Sequence, residues 1–308
     1  MKYRYVTILT LALLFLVPPA QGYVLHGLHI LELMTREMGQ AQSLQVMQKQ
    51  IIHQSQEPLS SDPEVPRRYG PPDLKAEHRS APLLIPQPEP ITLSETVMYI
   101  FPDAFRSEIS SPYSKRIHVF SKGASVTVID EQVVGDHESE FDLYKDLFLY
   151  NKRELLAERL PKVGVDPNVS SVGRFQGRVA YVVGAQYPDE SVPQVWVDKN
   201  TFRPFRWIIR PMTPSNPLDG LEVRFYGWRK IGSIWYPVRI EFYQGERLIR
   251  TIQIDNVRVD SDLPRRLFDV QRLRAEYPKR RAVMPEQRQP EEKSEAQETV
   301  DKFRKLFE

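Results

Sequence analysis

Two histidines three residues apart, His26 and His29, stand in the stretch HGLHILELMTREMGQAQ. On one face of a helix such a pair could offer two imidazoles to a metal, but a zinc site takes four donors. Nothing beside them completes the set, so histidines at a helix start are the plainer reading. Asp136-His137-Glu138 holds the residue types of acid-base chemistry, yet three adjacent side chains on a strand or turn do not converge on one point. A solvated turn is the expectation there. The chain has no cysteine nucleophile, no Gly-x-Ser-x-Gly elbow, no glycine-rich phosphate loop and no His-Glu-x-x-His motif. It gives no positive sign of an enzyme and calls for no cofactor or metal. The dispersed carboxylates of a glycosidase, which leave no short motif, stay open.

The chemistry that remains is apolar. In TLSETVMYIFPDAFRSEI, Val97, Tyr99 and Phe101 point one way while Met98 and Ile100 point the other. In KRIHVFSKGASVTVIDEQVV, which turns at Ser121-Lys122-Gly123, Val126, Val128, Ile129, Val133 and Val134 again occupy both faces. A sheet apolar on both faces needs a cover on both. Helices can supply one; the other must be more protein or an apolar ligand.

The elements that would position these residues follow from periodicity. Leu221–Val259 reads as three antiparallel strands, with Leu221, Val223 and Phe225, then Val238, Ile240 and Phe242, then Leu248, Ile252 and Ile254 alternating with Arg, Glu and Tyr. Gly232 and Gly245 stand at the expected turns. His26–Gln42 reads as an amphipathic helix. Ser43–His53 reads as a first strand or a continued helix. Glu138–Leu160 carries Phe141, Tyr144, Leu147, Phe148, Leu155 and Leu156 at helical spacing and stops at Pro161, giving one or two helices. Residues 169–209 bring further hairpins, turning at Gln176-Gly177 and Lys199-Asn200. Asn168-Val169-Ser170 matches a glycosylation triplet, a pattern common by chance.

The ends and one internal stretch differ in kind. Lys2 and Arg4, the largely apolar run Val6–Val17 and Ala20-Gln21-Gly22 make residues 1–22 a secretory signal peptide, since a run of twelve residues is short for a bilayer of roughly 30 Å. Without it, 40 basic residues face 40 acidic ones, which argues against nucleic acid as a partner. The absence of cysteine excludes a disulfide scaffold and a lipidated cysteine. The expectation is therefore a soluble, unanchored protein whose main domain runs over residues 23–273. Residues 57–90 hold nine of the 26 prolines, so they form no helix or central strand and read as a disordered insertion, or as a polyproline segment for a partner. Residues 274–308 are charged, with Val300, Phe303, Leu306 and Phe307 as a possible short helical stripe.

The order signal peptide, amphipathic helix, ETVMYIFPDAFR at Glu95–Arg106, VWVDK at Val195–Lys199 with Pro204, and YGWRKIGSIWYP at Tyr226–Pro237 resembles the LolA-like periplasmic lipoprotein-carrier superfamily. The resemblance spans about Leu25 to Val270. It implies an α+β fold, an unclosed antiparallel β half-barrel with an N-terminal helix and lid helices on the concave side. It implies a periplasmic location and a concave face that holds acyl chains of a lipid or lipoprotein. Val97, Tyr99, Phe101, Val126, Val128, Trp196, Trp207, Phe225, Ile240, Phe242, Ile252 and Ile254 are the candidate lining. In the lipoprotein carrier a basic residue lies just before the proline that here follows Phe101, so a polar control of release is not expected at that position. A relative that regulates the envelope stress response, whose main ligand is an inner- or outer-membrane protein, is the alternative.

Overall fold

The computed structural model describes residues 24–53, 89–213 and 219–279. The expected signal peptide, nearly all of the proline-rich stretch and the tail beyond Lys279 lie outside the described residues. Helix α1 (Gly27–Met38) starts where the His26 ring accepts from the Leu28 N–H at 3.3 Å, so His26 caps its own helix. Ile30, Leu31, Met34 and Met38 form its buried stripe. Six strands follow, β1 (Ser43–Ile52), β2 (Ile91–Ile100), β3 (Ala104–Ser110), β4 (Lys115–Ser121), β5 (Ala124–Ile129) and β6 (Gln132–Gly135). A helical segment then comprises the 3-10 turn Glu140–Lys145, α2 (Asp146–Leu149), α3 (Arg153–Arg159) and a second 3-10 turn, Leu160–Val163. The remaining strands are β7 (Ser170–Phe175), β8 (Arg178–Val183), β9 (Gln194–Asp198), β10 (Pro204–Arg210), β11 (Leu221–Tyr226), β12 (Arg229–Ile231), β13 (Ile234–Tyr236), β14 (Arg239–Gln244) and β15 (Arg247–Val259). A 3-10 turn, Arg265–Phe268, and α4 (Val270–Glu276) follow.

Thirteen strands make one antiparallel sheet in the order β6-β5-β4-β3-β2-β1-β15-β14-β11-β10-β9-β8-β7. Two meanders are thus joined where β1 pairs with the last strand, β15. Laid flat, thirteen strands would span roughly 60 Å at about 4.8 Å each. Yet the four buried apolar side chains of α1, a helix of about 18 Å, share one core with strands from both meanders, from Phe120 on β4 to Tyr181 on β8. The sheet must curl around the helices to allow this. β6 and β7 do not pair, so the curl is unclosed.

The outer face is covered by the chain itself. Met98, Ile100, Ile117, Val119, Val126 and Val128 pack under Phe268, Val270 and Leu273, so the second cover demanded by the two-faced strands is here α4 and its preceding turn. At the edge, the Val133 N–H donates to the Pro278 carbonyl at 2.9 Å. In the Leu221–Val259 region there are five strands where periodicity predicts three. β12 and β13 form a separate small hairpin between β11 and its sheet partner β14. Gly227, with a φ of +65°, turns the chain out of the sheet before it.

This hairpin holds α1 through Gly39, which bridges to Ile234. Gly39 has a φ of +83°, and a Cβ there would stand 2.0 Å from the Ser233 carbonyl oxygen. Gly123, at a φ of +81°, has nothing within 4 Å of the same position. Gly123→Ala should therefore cost about 1 kcal/mol, the conformational term alone. Gly39→Ala should cost about 3 kcal/mol, because two backbones must separate. Thermal melts of the two variants compare these terms.

Candidate functional site

Register decides which side chains meet on the inner face. Cross-strand pairing from β15 through β5 sets Val259, Leu44, Tyr99, Phe105, Phe120 and Ser125 in one row. The next row is Val257, Val46, Val97, Ser107, His118 and Thr127. The third is Ile254, Gln48, Glu95, Ile109, Arg116 and Ile129. An aromatic row thus gives way, along the strands, to a polar belt. Ile52, Leu93, Ile109 and Ile129 form a small apolar cluster beyond it.

Over the aromatic part lie α1, α2 and α3. Phe148 of α2 packs on Tyr236 at 4.8 Å between ring centres and edge-on to Phe225 at 5.9 Å. Tyr99 stacks on Phe101 at 5.6 Å. Where the end of α1, α2 and the β12–β13 hairpin meet, an apolar mouth is lined by Met38, Leu44, Phe101, Leu147, Phe148 and Tyr236. Its free volume is about 20 Å³, room for about one water. Beside it an open groove of about 590 Å³ carries Lys152, Asp260, Asp262 and Arg265, and shares Ala41, Phe101 and Asn151 with the mouth.

Over the belt lies the 3-10 turn Glu140–Lys145, fixed by charge. The Arg116 guanidinium donates to Asp142 at 2.6 Å, with both side chains almost fully buried. That cation holds the Asp142 carboxyl well below the usual carboxylate range against the opposing effect of burial. Lys145, fully buried, pairs with Glu138 and with Asp146 at 3.0 Å, and Arg159 closes the network at 2.7 Å from Glu138 and 2.6 Å from Asp146. The Lys145 ammonium also sits over the rings of Phe105 and Phe120, at 5.5 and 5.3 Å. Glu138 is therefore a member of a buried ion network, not of a solvated turn. Asp136 stays exposed. His29 meets Glu32 at 3.2 Å on the helix surface. Among the described residues no group of three or more His, Cys, Asp or Glu side chains is placed to hold a metal ion.

The candidate lining divides. Val97, Tyr99, Trp207, Phe225, Ile240, Phe242 and Ile252 share the inner core, with Phe101 and Ile254 partly buried against it. Val126 and Val128 do not join them; they lie on the outer face under α4. Trp196 pairs across from Arg206, outside, in a cluster with Ala180, Val182 and Phe205. The Arg206 guanidinium lies 4.1 Å from the Phe175 ring centre and 5.1 Å from that of Trp196. Trp207, one residue on, faces inward. The belt residues Gln48, Glu95, Arg116, His118 and Arg250 were not singled out by composition. Their signal is parity: Glu95 stands two before Val97, Gln48 two after Val46, and His118 two before Phe120.

The fold is α+β, an unclosed antiparallel half-barrel with helices against its inner face. It is similar to structures of the LolA superfamily. A lipoprotein-sorting protein domain from Vibrio parahaemolyticus aligns over 80% of this chain and 97% of its own, at 11% identity and a TM-score of 0.49. A LolA superfamily protein from Nitrosomonas europaea aligns over 81% and 100%, at 12% identity and 0.47. A DUF1329 family protein from Desulfovibrio piger aligns over 80% and 98%, at 13% identity and 0.48. At these identities the likeness concerns the fold alone. No family model and no curated protein matches the sequence.

Proposed function

We propose that this protein is a soluble periplasmic carrier or binding protein for acyl chains of a lipid or lipoprotein, acting in outer-membrane biogenesis or envelope lipid traffic. The observation that carries the reading is the curled sheet's aromatic inner face, covered by short helices and reached at the mouth beside Phe101. With about 20 Å³ free at that mouth, the described state is closed, and a chain enters by displacing a helix. Helix α1 is the element to move. Its charged contacts are long, Arg153 to Glu32 at 3.9 Å with both side chains half-exposed and Arg203 to Glu37 at 3.8 Å with only Glu37 so, and an exposed pair contributes at most about 1 kcal/mol. The 138–159 segment is instead pinned by buried pairs. Among the described residues no helix is long and apolar enough to cross a membrane, and residues 1–22 supply the export signal.

Magnitudes select the ligand. Burying a methylene gains about 0.8 kcal/mol, so a chain of about 14 methylenes gains roughly 11 kcal/mol. Association costs about 4 to 15 kcal/mol before any helix is displaced. Long or paired chains are therefore the cargo, and short ones bind poorly. Native mass spectrometry of protein purified without detergent should show adducts of lipid mass. Phe101→Asp should reduce them at least tenfold, since Phe101 is only half-buried and its carboxylate replacement would face the entering chain at the mouth. A folded wild-type protein with no adducts and no uptake of a fluorescent fatty acid would end this reading.

A further inference from the structure

Around Glu95 the belt leaves buried acceptor oxygens without hydrogen-bond partners. The Gln48 and Gln50 amide nitrogens both donate to Glu95 Oε2, at 2.6 and 2.5 Å, and the Ser107 hydroxyl donates to Oε1 at 2.5 Å. The carboxylate thereby fixes both amides, because flipping either would set oxygen against oxygen. Their carbonyl oxygens are turned away from Glu95, and each is buried without a partner. The Tyr99 and Tyr236 hydroxyls neighbour one another and Glu95, yet neither has a hydrogen-bond partner of good geometry. These two tyrosines connect the belt to the mouth, since Tyr236 lines it and Tyr99 stacks on Phe101, which also lines it. Native interiors leave few polar atoms unsatisfied. Two amide oxygens and two poorly paired tyrosine hydroxyls around one carboxylate, on the path inward from an apolar mouth, mark a position for a hydrogen-bonding group that the protein does not supply.

We propose that the belt is a subsite for the polar end of an acyl amphiphile, and that it selects an uncharged head bearing hydroxyl or amide N–H groups over a carboxylate. The inference rests on the acyl-chain reading above. Two fixed carbonyl oxygens call for donors, and two tyrosine hydroxyls can give or take a proton bond. A carboxylate head has no donor to offer and would lie beside Glu95. Positive charge to hold it is already engaged, because Arg116 is paired with Asp142 and Arg250 lies in the field of both Glu95 and Asp142. Acylglycerols and N-acyl amides share the required chemistry.

Three probes with one C18:1 chain separate the possibilities: oleate, 1-monoolein and N-oleoylethanolamide. The full chain, freed of lipid, is titrated with each by displacement of a fluorescent fatty acid. At least one of the uncharged pair should bind about tenfold tighter than oleate, the worth of one or two net hydrogen bonds. Whether the ester or the amide binds better identifies the source of the donors. Tyr99→Phe and Tyr236→Phe remove hydroxyls whose contact in the closed protein is a poorly aligned one with each other, so both variants should fold with a nearly unchanged melting temperature. Each should lower the preference to about threefold, read as the ratio of the uncharged probe's affinity to that of oleate in the same variant. Gln50→Met removes an acceptor together with one hydrogen bond to Glu95, so it should lower the preference likewise and also lower the melting temperature. Equal binding of all three probes, or a preference that survives in every variant, overturns the subsite while leaving the carrier reading in place. Failure of all three to bind the wild-type protein overturns both.

Discussion

Asp142→Ala is expected to destabilise the protein by about 3–5 kcal/mol, the largest effect of any single substitution considered for this fold. Removing one member of a buried ion pair leaves the other charge in a medium that solvates it poorly, and that penalty exceeds the worth of the intact pair. Here the stranded group would be the Arg116 guanidinium, 1% exposed, deprived of a partner at 2.6 Å. The loss also has a structural consequence. Asp142 is the point at which the 3-10 turn Glu140–Lys145 is fixed over the belt, and the same turn carries Tyr144 and Phe141, which pack on Phe242 at 5.9 Å each. For a domain of this size each kcal/mol moves the melting temperature by about 2–4 °C, so a fall of about 10 °C is expected in a thermal melt. The double variant Arg116→Met, Asp142→Leu should recover most of it, because replacing both charges by apolar groups of similar volume is close to neutral. Additive losses in that double variant would show that the two side chains do not act as a pair.

How far the sequence carries one toward this site depends on what each pattern encodes. Alternation with a period of two places strands well, and the hairpins at Lys122-Gly123, Gln176-Gly177 and Gly245 lie where turn-forming residues interrupt it. Alternation does not say which parity faces the helices. Val126 and Val128 are as apolar as Val97, and Trp196 as large as Trp207, so side-chain type alone could not separate inside from outside. Pairing does so, because β2 through β5 inherit their inner parity from one another once Tyr99, Phe105 and Phe120 are in one row. The polar belt was hidden for the same reason. Glu95 and Arg116 in a strand read as solvated positions until their parity is tied to that of the aromatic row. The small β12–β13 hairpin, RKI and IWY, falls where the sequence reads as no more than a turn at Lys230–Ser233 between two strands of the meander. Only the pairing of β11 with β14 reveals that it stands apart.

Stability should fall as pH is lowered from about 6.5 to about 4, by roughly 3 kcal/mol, because of one histidine. His118 is fully buried in the belt, its Nδ1 2.8 Å from the Thr127 hydroxyl. Burial pushes its pKa down to about 4, with Arg116 and Lys145 acting in the same direction and Asp142 and Glu138 opposing. An unfolded histidine titrates near 6.5. Between the two values the unfolded chain binds a proton that the folded protein does not, so acidification favours unfolding there. Above about 6.5 and below about 4 this residue adds no slope. Asp142 and Glu138, whose carboxyls are held low by Arg116, Lys145 and Arg159, take over in the next window. Their contribution is present above the ordinary carboxylate pKa and is lost as pH falls below about 4. Urea denaturation followed at half-unit steps from pH 7.5 to 3 should therefore show two successive declines. His118→Gln keeps a polar side chain beside Thr127 but takes up no proton, so it should flatten the first decline and leave the second. A variant whose stability still drops by the wild-type amount between pH 6.5 and 4 would assign that slope to another group and remove His118 as the acid-sensitive point of the belt.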